Sequence, residues 1–412
     1  MVIEPESLEP APRVLVRTFP PNTNYNYGGV LQAFALQYTI RKLGYDCLTD
    51  STSVHFAESG MRRFVPQPLR PVLQSLIGWH VPLRAIPGRF REAARKMRNQ
   101  AALPVTGGCI TDFAVKHMTL APLYNHKGGV DQELLASFDC FVAGSDQVWR
   151  PEHSNIASYM FDFVPLDDPR PRFSYAVSFV TDSPRFSEAR IDRLRALASA
   201  MSGISVREIS GVDIVKSSLH AKAAQHIDPT MMLTPEDYRG LIEGPERFDD
   251  TPHVFDYVLD GSGEARQTLQ VVLDQIGLPV YRVVPPTPPS RRELHRNRAR
   301  YMLPDVDAWL THLAHSEFAV TDSFHGTVFA ILFNVPFVAI CNQSRGAARF
   351  ESLLSQFGLE DRLIDAGSLD LKIAELAPID WSKVNSRLDE ERARSMDYLT
   401  THLPTVGREH GS

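Results

Sequence analysis

Twenty residues, Thr321 to Ile340 (TDSFHGTVFAILFNVPFVAI), leave this chain few folds to choose from. Phe318, Ala319 and Val320 read as a short buried strand that ends at Thr321-Asp322, and Gly326-Thr327 open an apolar helical run, Val328 to Phe333. Asn334 and Pro336 stop that helix, and Phe337 to Ile340 make a second buried strand. Strand, loop, helix and strand in so short a span belong to an α/β sheet. Ser323 and His325 fall in the loop at the first strand's carboxyl end, the edge where open α/β sheets bind ligands, and a helix starting at Gly326 turns free N–H groups toward an anion. A plainer reading fits the same residues: Asp322 or Ser323 caps the helix and His325 is a satisfied loop histidine.

The same logic recurs along the chain. Arg13 to Phe19 (RVLVRTF) is a strand running into the loop PPNTNYNYGG, then Val30 to Leu43 at helical spacing with Gly44 as a stop. Cys140 to Ala143 is a buried strand with the polar loop Gly144-Ser145-Asp146-Gln147 at its end, and Arg172 to Phe179 and Ser187 to Met201 add a strand and an amphipathic helix. The loops Asn26 to Gly29 and Gly144 to Trp149 are placed to share one crevice. A second unit starts near Gly203, with Ile204 to Glu208 as its first strand, a helix over Val212 to Leu219 capped by Ser210, strands at Val254 to Leu259 and Pro279 to Val284, and the helix Glu264 to Gly277 between them. A chain of 412 residues exceeds what one core usually serves. The expectation is α/β with two Rossmann-like domains around a central cleft, residues 1–202 and 203–381, followed by 382–412, whose helix (Ser382 to Leu403) crosses back toward the first domain.

Two segments interrupt the alternation. Phe56 to Ala101 carries Arg62, Arg63, Arg70, Arg84, Arg89, Arg91, Arg95 and Arg98 among apolar residues such as Leu73, Trp79 and Phe90, with Glu58 and Glu92 the only acids. It suits a basic docking face for a membrane surface or a solvated insertion on the first domain. Pro285 to Arg300 is a Pro-rich basic loop. The net charge of −6 argues against nucleic acid as the main partner. The amino terminus, MVIEPESLEPAP, has no apolar core and reads as neither signal nor anchor, and Val328 to Ile340 is too short and broken to span a bilayer. Cys47, Cys109, Cys140 and Cys341 lack metal or disulfide spacing. The expected setting is cytoplasmic, with peripheral contact through 56–101 at the inner face of the membrane; no metal and no cofactor is called for, and nothing signals an oligomeric state. The one D-x-D sequence, Asp305 to Asp307, reads as an acidic first helical turn.

NYGGVLQAFALQ, FDCFVAGSDQVW, SYAVSF, ISVREISGVDI, HIDPTMML and TDSFHGTVFAILFNVPF together resemble the polysaccharide pyruvyl transferase family, in the family's order and from Asn26 to about Arg362. The resemblance implies a GT-B-like architecture and a transfer of the enolpyruvyl unit of phosphoenolpyruvate onto sugar hydroxyls. A cyclic pyruvate ketal forms and phosphate leaves, with phosphoenolpyruvate a co-substrate rather than a cofactor and a cell-surface glycan or its precursor, lipid-linked or free, as acceptor. Arg207 resembles the family's donor-binding arginine, and His325 matches its histidine, placed to contact phosphate or deliver a proton. Ser323 stands where some branches carry arginine, so Arg345 and Arg349 are candidates for the missing cation. With Gly326 and Thr327 they complete the expected donor side.

The chemistry requires those cations. A helix N-terminus contributes about 0.3 to 1 kcal/mol toward an anion, whereas a charge-assisted hydrogen bond contributes about 1.5 to 3 kcal/mol. For the acceptor hydroxyl, Asp146 is the first candidate base, against an Asx-turn role. Asn26, Gln147 and Gln32 suit sugar hydroxyls, Tyr27, Gly28 and Ser145 line the same loops, and Trp149 suits either a pyranose face or the core. Two other classes fit the fold: a GT-B glycosyltransferase using a nucleotide sugar, and a glycan- or anion-binding protein without turnover.

Overall fold

A computed structural model of the protein describes residues 10–22, 26–52, 106–125, 128–151, 155–180, 186, 188–241, 251–261, 263–286, 288, 290–341 and 347–405. The arginine-rich segment expected at 56–101 and Arg345 lie outside the described residues.

The first sheet is built from β1 (Arg13–Arg17), β2 (Asp46–Asp50), β3 (Leu120–Ala121), β4 (Cys140–Ala143) and β5 (Arg172–Ser174), all parallel, in the order β3-β2-β1-β4-β5. Helix α1 (Tyr27–Lys42) follows β1 and is buried along most of its length, against an expected start at Val30. It begins earlier because the Asn26 side chain accepts from the backbone N–H of Gly28 and Gly29, which closes the helix end upstream of the apolar run. The second sheet comprises β8 (Val254–Tyr257), β9 (Val280–Arg282), β10 (Phe318–Thr321), β11 (Phe337–Cys341) and β12 (Leu363–Asp365), again parallel, in the order β12-β11-β10-β8-β9. Each order reverses once, between β1 and β4 and between β8 and β10, and those reversals leave a crevice at the carboxyl ends of the strands. Two Rossmann-like α/β domains around a central cleft result, as the alternation predicts.

One expectation is corrected. Ile204 to Glu208 reads in sequence as the first strand of the second unit, but β6 (Ser205–Val206) pairs with β7 (Ala224–Gln225) and is stitched to the first sheet. Ser174 N–H donates to Gly203, Val177 N–H to Ser205, and Arg207 N–H to Val177. A two-residue strand carries no periodicity of its own, so its sheet is decided by which edge is open, and the edge beyond β5 is open. Arg207 therefore projects from the first domain's side of the cleft.

The long helix Trp381–His402 returns to that edge. Tyr398 Oη donates to Ser174 O at 3.0 Å, its ring lies 4.5 Å from those of His226 and His402, and Arg392 donates to Met231 O and Leu233 O. Leu388 and Leu399 are buried in the same core as β1 and β11, so the helix straps the two domains together. Burial, with Arg394 and His402 nearby, pushes the imidazole of buried His226 down from its ordinary 6.5 to about 4. The unfolded chain thus binds a proton that the folded chain rejects, so this contribution is intact above pH 6.5 and is lost as pH falls toward 4. The shift corresponds to about 3 kcal/mol. Urea unfolding of wild type from pH 7 to 4 should show the loss, and His226→Asn should flatten it.

Candidate active site

Loops after β1, β4, β6, β7 and β10 converge in the cleft. After β10, Ser323 is the N-cap of the helix Phe324–Leu332, its Oγ accepting from Gly326 N–H at 3.4 Å. Asp322 accepts from Leu259 N–H and Asp260 N–H, each at 2.6 Å, which ties the loop after β8 to the loop after β10. The helix starts at Phe324, two residues before the expected Gly326, so His325 lies in its first turn. Gly326 is required there for another reason: a Cβ would sit 2.3 Å from Thr321 Oγ1. Thr327 is fully buried, with its hydroxyl donating to Ser323 O at 3.2 Å, and is part of the helix frame.

His325 reaches across the cleft to the first domain. Its Nε2 lies 3.4 Å from Asp228 Oδ2, close enough for an ion pair but outside hydrogen-bond geometry. Arg207 Nη1 donates to the same oxygen at 2.8 Å, and Ser145 Oγ is 3.5 Å from it. The other oxygen, Oδ1, accepts from Thr230 N–H at 3.0 Å and Thr230 Oγ1 at 2.7 Å. Burial alone would push this carboxyl up, but His325 and Arg207 outweigh it and hold Asp228 well below the usual carboxylate range. Asp228 is absent from the residues singled out in the sequence. The HIDPTMML block contains it, but an Asp-Pro at a helix start reads as a cap, and Asp228 does cap the turn Pro229–Met232 as well.

Arg207 is 4 % exposed and faces three carboxylates: Asp228, Glu208 Oε1 at 3.8 Å from its Nε, and Asp146 Oδ1 at 3.9 Å from its Nη2. Its guanidinium stacks 4.1 Å from the Phe324 ring centroid, and Arg349 lies over the same ring at 5.9 Å. Burial, then the neighbouring charge of Arg207, lowers Arg349 to about 10. Arg207 Nε and Nη2 and Arg349 Nε have no hydrogen-bond partner among the described residues. Burial pushes the Glu208 carboxyl up against the pull of Arg207; its Oε1 accepts from Ser178 Oγ and its Oε2 has no partner.

The residues expected on the acceptor side divide. Asp146 faces Arg207 and holds φ at 74°, a left-handed conformation kept in place by Ser178 N–H donating to its carbonyl. Ser145 Oγ donates to Gln32 Oε1 at 2.8 Å, and Gln32 Nε2 donates to Thr18 Oγ1 and Gly29 O, so Gln32 braces the two loops from inside. Gly28 packs directly under His325: a Cβ there would lie 2.0 Å from its Nδ1. Asn26 is occupied as a cap, and Gln147 accepts from Arg150 Nη1 at 3.3 Å. Two expectations are corrected. Trp149 is wholly buried, edge-on to Phe179, and offers no face to a sugar. Tyr27 is stacked on Trp309 with its hydroxyl donating to Pro304 O, which makes it an interdomain packing residue. Both are aromatics on the side of the loop that turns into the core, which sequence spacing does not distinguish from the cleft side.

The model of the family described as polysaccharide pyruvyl transferase matches residues 26–344, more than three quarters of the chain. The chain belongs to the polysaccharide pyruvyl transferase family. The matched span takes in Arg207, Asp228 and His325, which meet across the cleft. No curated protein matches this pyruvyl transferase family member in sequence. Among solved structures it is similar to a UDP-glucosyltransferase from Polygonum tinctorium (11% identity, 96% of this chain and 98% of that one, TM-score 0.41). It is also similar to the glycosyltransferase SnogD from Streptomyces nogalater (12%, 96% and 96%, TM-score 0.40). A third likeness is to a putative UDP-N-acetylglucosamine 2-epimerase from Listeria monocytogenes (10%, 97% and 93%, TM-score 0.41). No helix among the described residues is long and apolar enough to cross a membrane, and no group of three or more metal-ligating side chains occurs among them.

Proposed function

We propose that the protein moves the enolpyruvyl unit of phosphoenolpyruvate onto two hydroxyls of a sugar in a glycan or its precursor, closing a pyruvate ketal and releasing phosphate. The observation that carries the reading is the pair of guanidinium groups, Arg207 and Arg349, both over the Phe324 ring, with N–H donors that no hydrogen bond among the described residues satisfies. A buried donor without a partner costs about 1 to 3 kcal/mol, and a ligand bearing both phosphate and carboxylate oxygens satisfies such donors at two points. In this reading Arg349 supplies the cation that Ser323 does not.

In this reading His325 delivers a proton to the methylene carbon of the donor, which becomes a methyl group, and C2 becomes electrophilic. One sugar hydroxyl attacks C2 and gives up its proton, with Asp146 the nearest carboxylate on the acceptor side. The second hydroxyl then bonds to C2 as the C2–O bond to phosphate breaks. Two protons leave the hydroxyls; one balances that gained by carbon and the other leaves with phosphate. No oxidant, reductant or metal enters this balance.

Thermal unfolding with phosphoenolpyruvate, UDP-sugars and inorganic phosphate tests the donor without an acceptor. At about 100 times its dissociation constant the donor should add roughly 2.7 kcal/mol, a shift of several degrees. Stabilisation by a UDP-sugar with phosphoenolpyruvate silent would replace this reading by sugar transfer.

A further inference from the structure

Asp228 has the geometry of a shared anchor. It comes from the loop after β7, is 1 % exposed, and spends one oxygen on Thr230 while presenting the other to Arg207 and His325 at 2.8 and 3.4 Å. A residue that merely capped the turn Pro229–Met232 would need only the first of these. The Nε2 atom of His325 is sealed from solvent and has no hydrogen-bond partner among the described residues, and the Asp228 carboxylate lies 3.4 Å from it. Gly28 confines the ring from the other side.

We propose that Asp228 is the positioning residue of the site: its Oδ2 orients His325 through Nε2, stabilises positive charge on that ring, and binds Arg207 into the same electrostatic unit. The proposal rests on the pyruvyl-transfer reading for what the imidazole does, but not for the pairing itself. When a donor anion occupies the free edge of Arg207, part of that guanidinium's charge is drawn away from Asp228, and the carboxylate acts the more strongly on the imidazole. Donor binding and arming of the proton donor thereby become one event. Among the described residues, further charged and titratable groups face the unit, with Arg150 and Arg392 acting on its outer members. Asp146, Glu208 and Arg349 surround Arg207, while Tyr175 and Tyr238, both buried and held well above the ordinary phenol range by that burial, lie behind Asp228.

The test uses the full chain as wild type, Asp228→Asn, His325→Asn and the double variant. The first readout needs no donor: the His325 ring resonances, assigned by their loss in His325→Asn, should shift in Asp228→Asn while the amide spectrum stays folded. The second is turnover with phosphoenolpyruvate. Asp228→Asn should lose about 100-fold, with the alkaline limb of the pH profile moved to lower pH, and should lose nothing further in the His325→Asn background. Ring resonances unchanged in Asp228→Asn, or losses that simply add, would overturn the proposal. If Asp228→Asn does not fold, Thr230→Val frees Oδ1 while keeping the charge, and an unmoved resonance in that variant overturns it equally. A wrong donor assignment would silence turnover in all variants yet leave the resonance experiment decisive.

Discussion

Arg207→Ala should abolish the thermal response to phosphoenolpyruvate and destabilise the protein by about 3 to 5 kcal/mol, as expected when one partner is removed from a buried ionic group. The size follows from what remains: Asp228, Glu208 and Asp146 would face one another around an empty volume, with His325 and Arg349 as neighbouring cations. Arg207→Lys separates the two effects. The ammonium restores a positive charge but not a planar fork able to serve Asp228 and a ligand at once, so it should recover most of the stability and little of the donor response. Calorimetry of the three proteins with and without phosphoenolpyruvate makes the comparison. A normal ligand response in Arg207→Ala would show that the donor sits elsewhere.

Gly28→Ala is the second large effect, and it should fall on turnover rather than binding. The added methyl has no room, because its position is 2.0 Å from His325 Nδ1 and the ring on the far side is backed by Asp228. Either α1 or the helix carrying His325 must move. Displacement of a reacting group by about 1 Å can cost roughly 100-fold in rate. The expected result is a drop of that order with the donor's thermal shift retained, since the atoms nearest the added methyl all belong to His325. A parallel loss of donor affinity would mean that the whole cleft, not the imidazole alone, had shifted.

Much of the architecture is legible before any coordinates. β1, β4, β10 and β11 are runs of apolar residues flanked by polar loops, and their burial on both faces follows from that composition. That His325 and Arg207 sit at strand ends facing the cleft is legible because each stands beside a turn signal, although the sheet to which Arg207 belongs is not. Asp228 is hidden by its second job: an aspartate before proline at a helix start is fully explained by capping, so nothing in the local pattern asks for more. Tyr27 and Trp149 mislead in the opposite sense, since an aromatic in a cleft loop points inward or outward by a single dihedral. The register of β6 depends on which sheet edge lies open, a property of the assembled molecule that a two-residue strand cannot encode.

The contact between Asp228 and His325 joins side chains rooted in different sheets, and it is already 3.4 Å long with the cleft as it stands. A rotation of one sheet against the other would change this distance without altering the strand pairing inside either sheet. On the pyruvyl-transfer reading, the same span would link the seating of the imidazole to the approach of the two sheets.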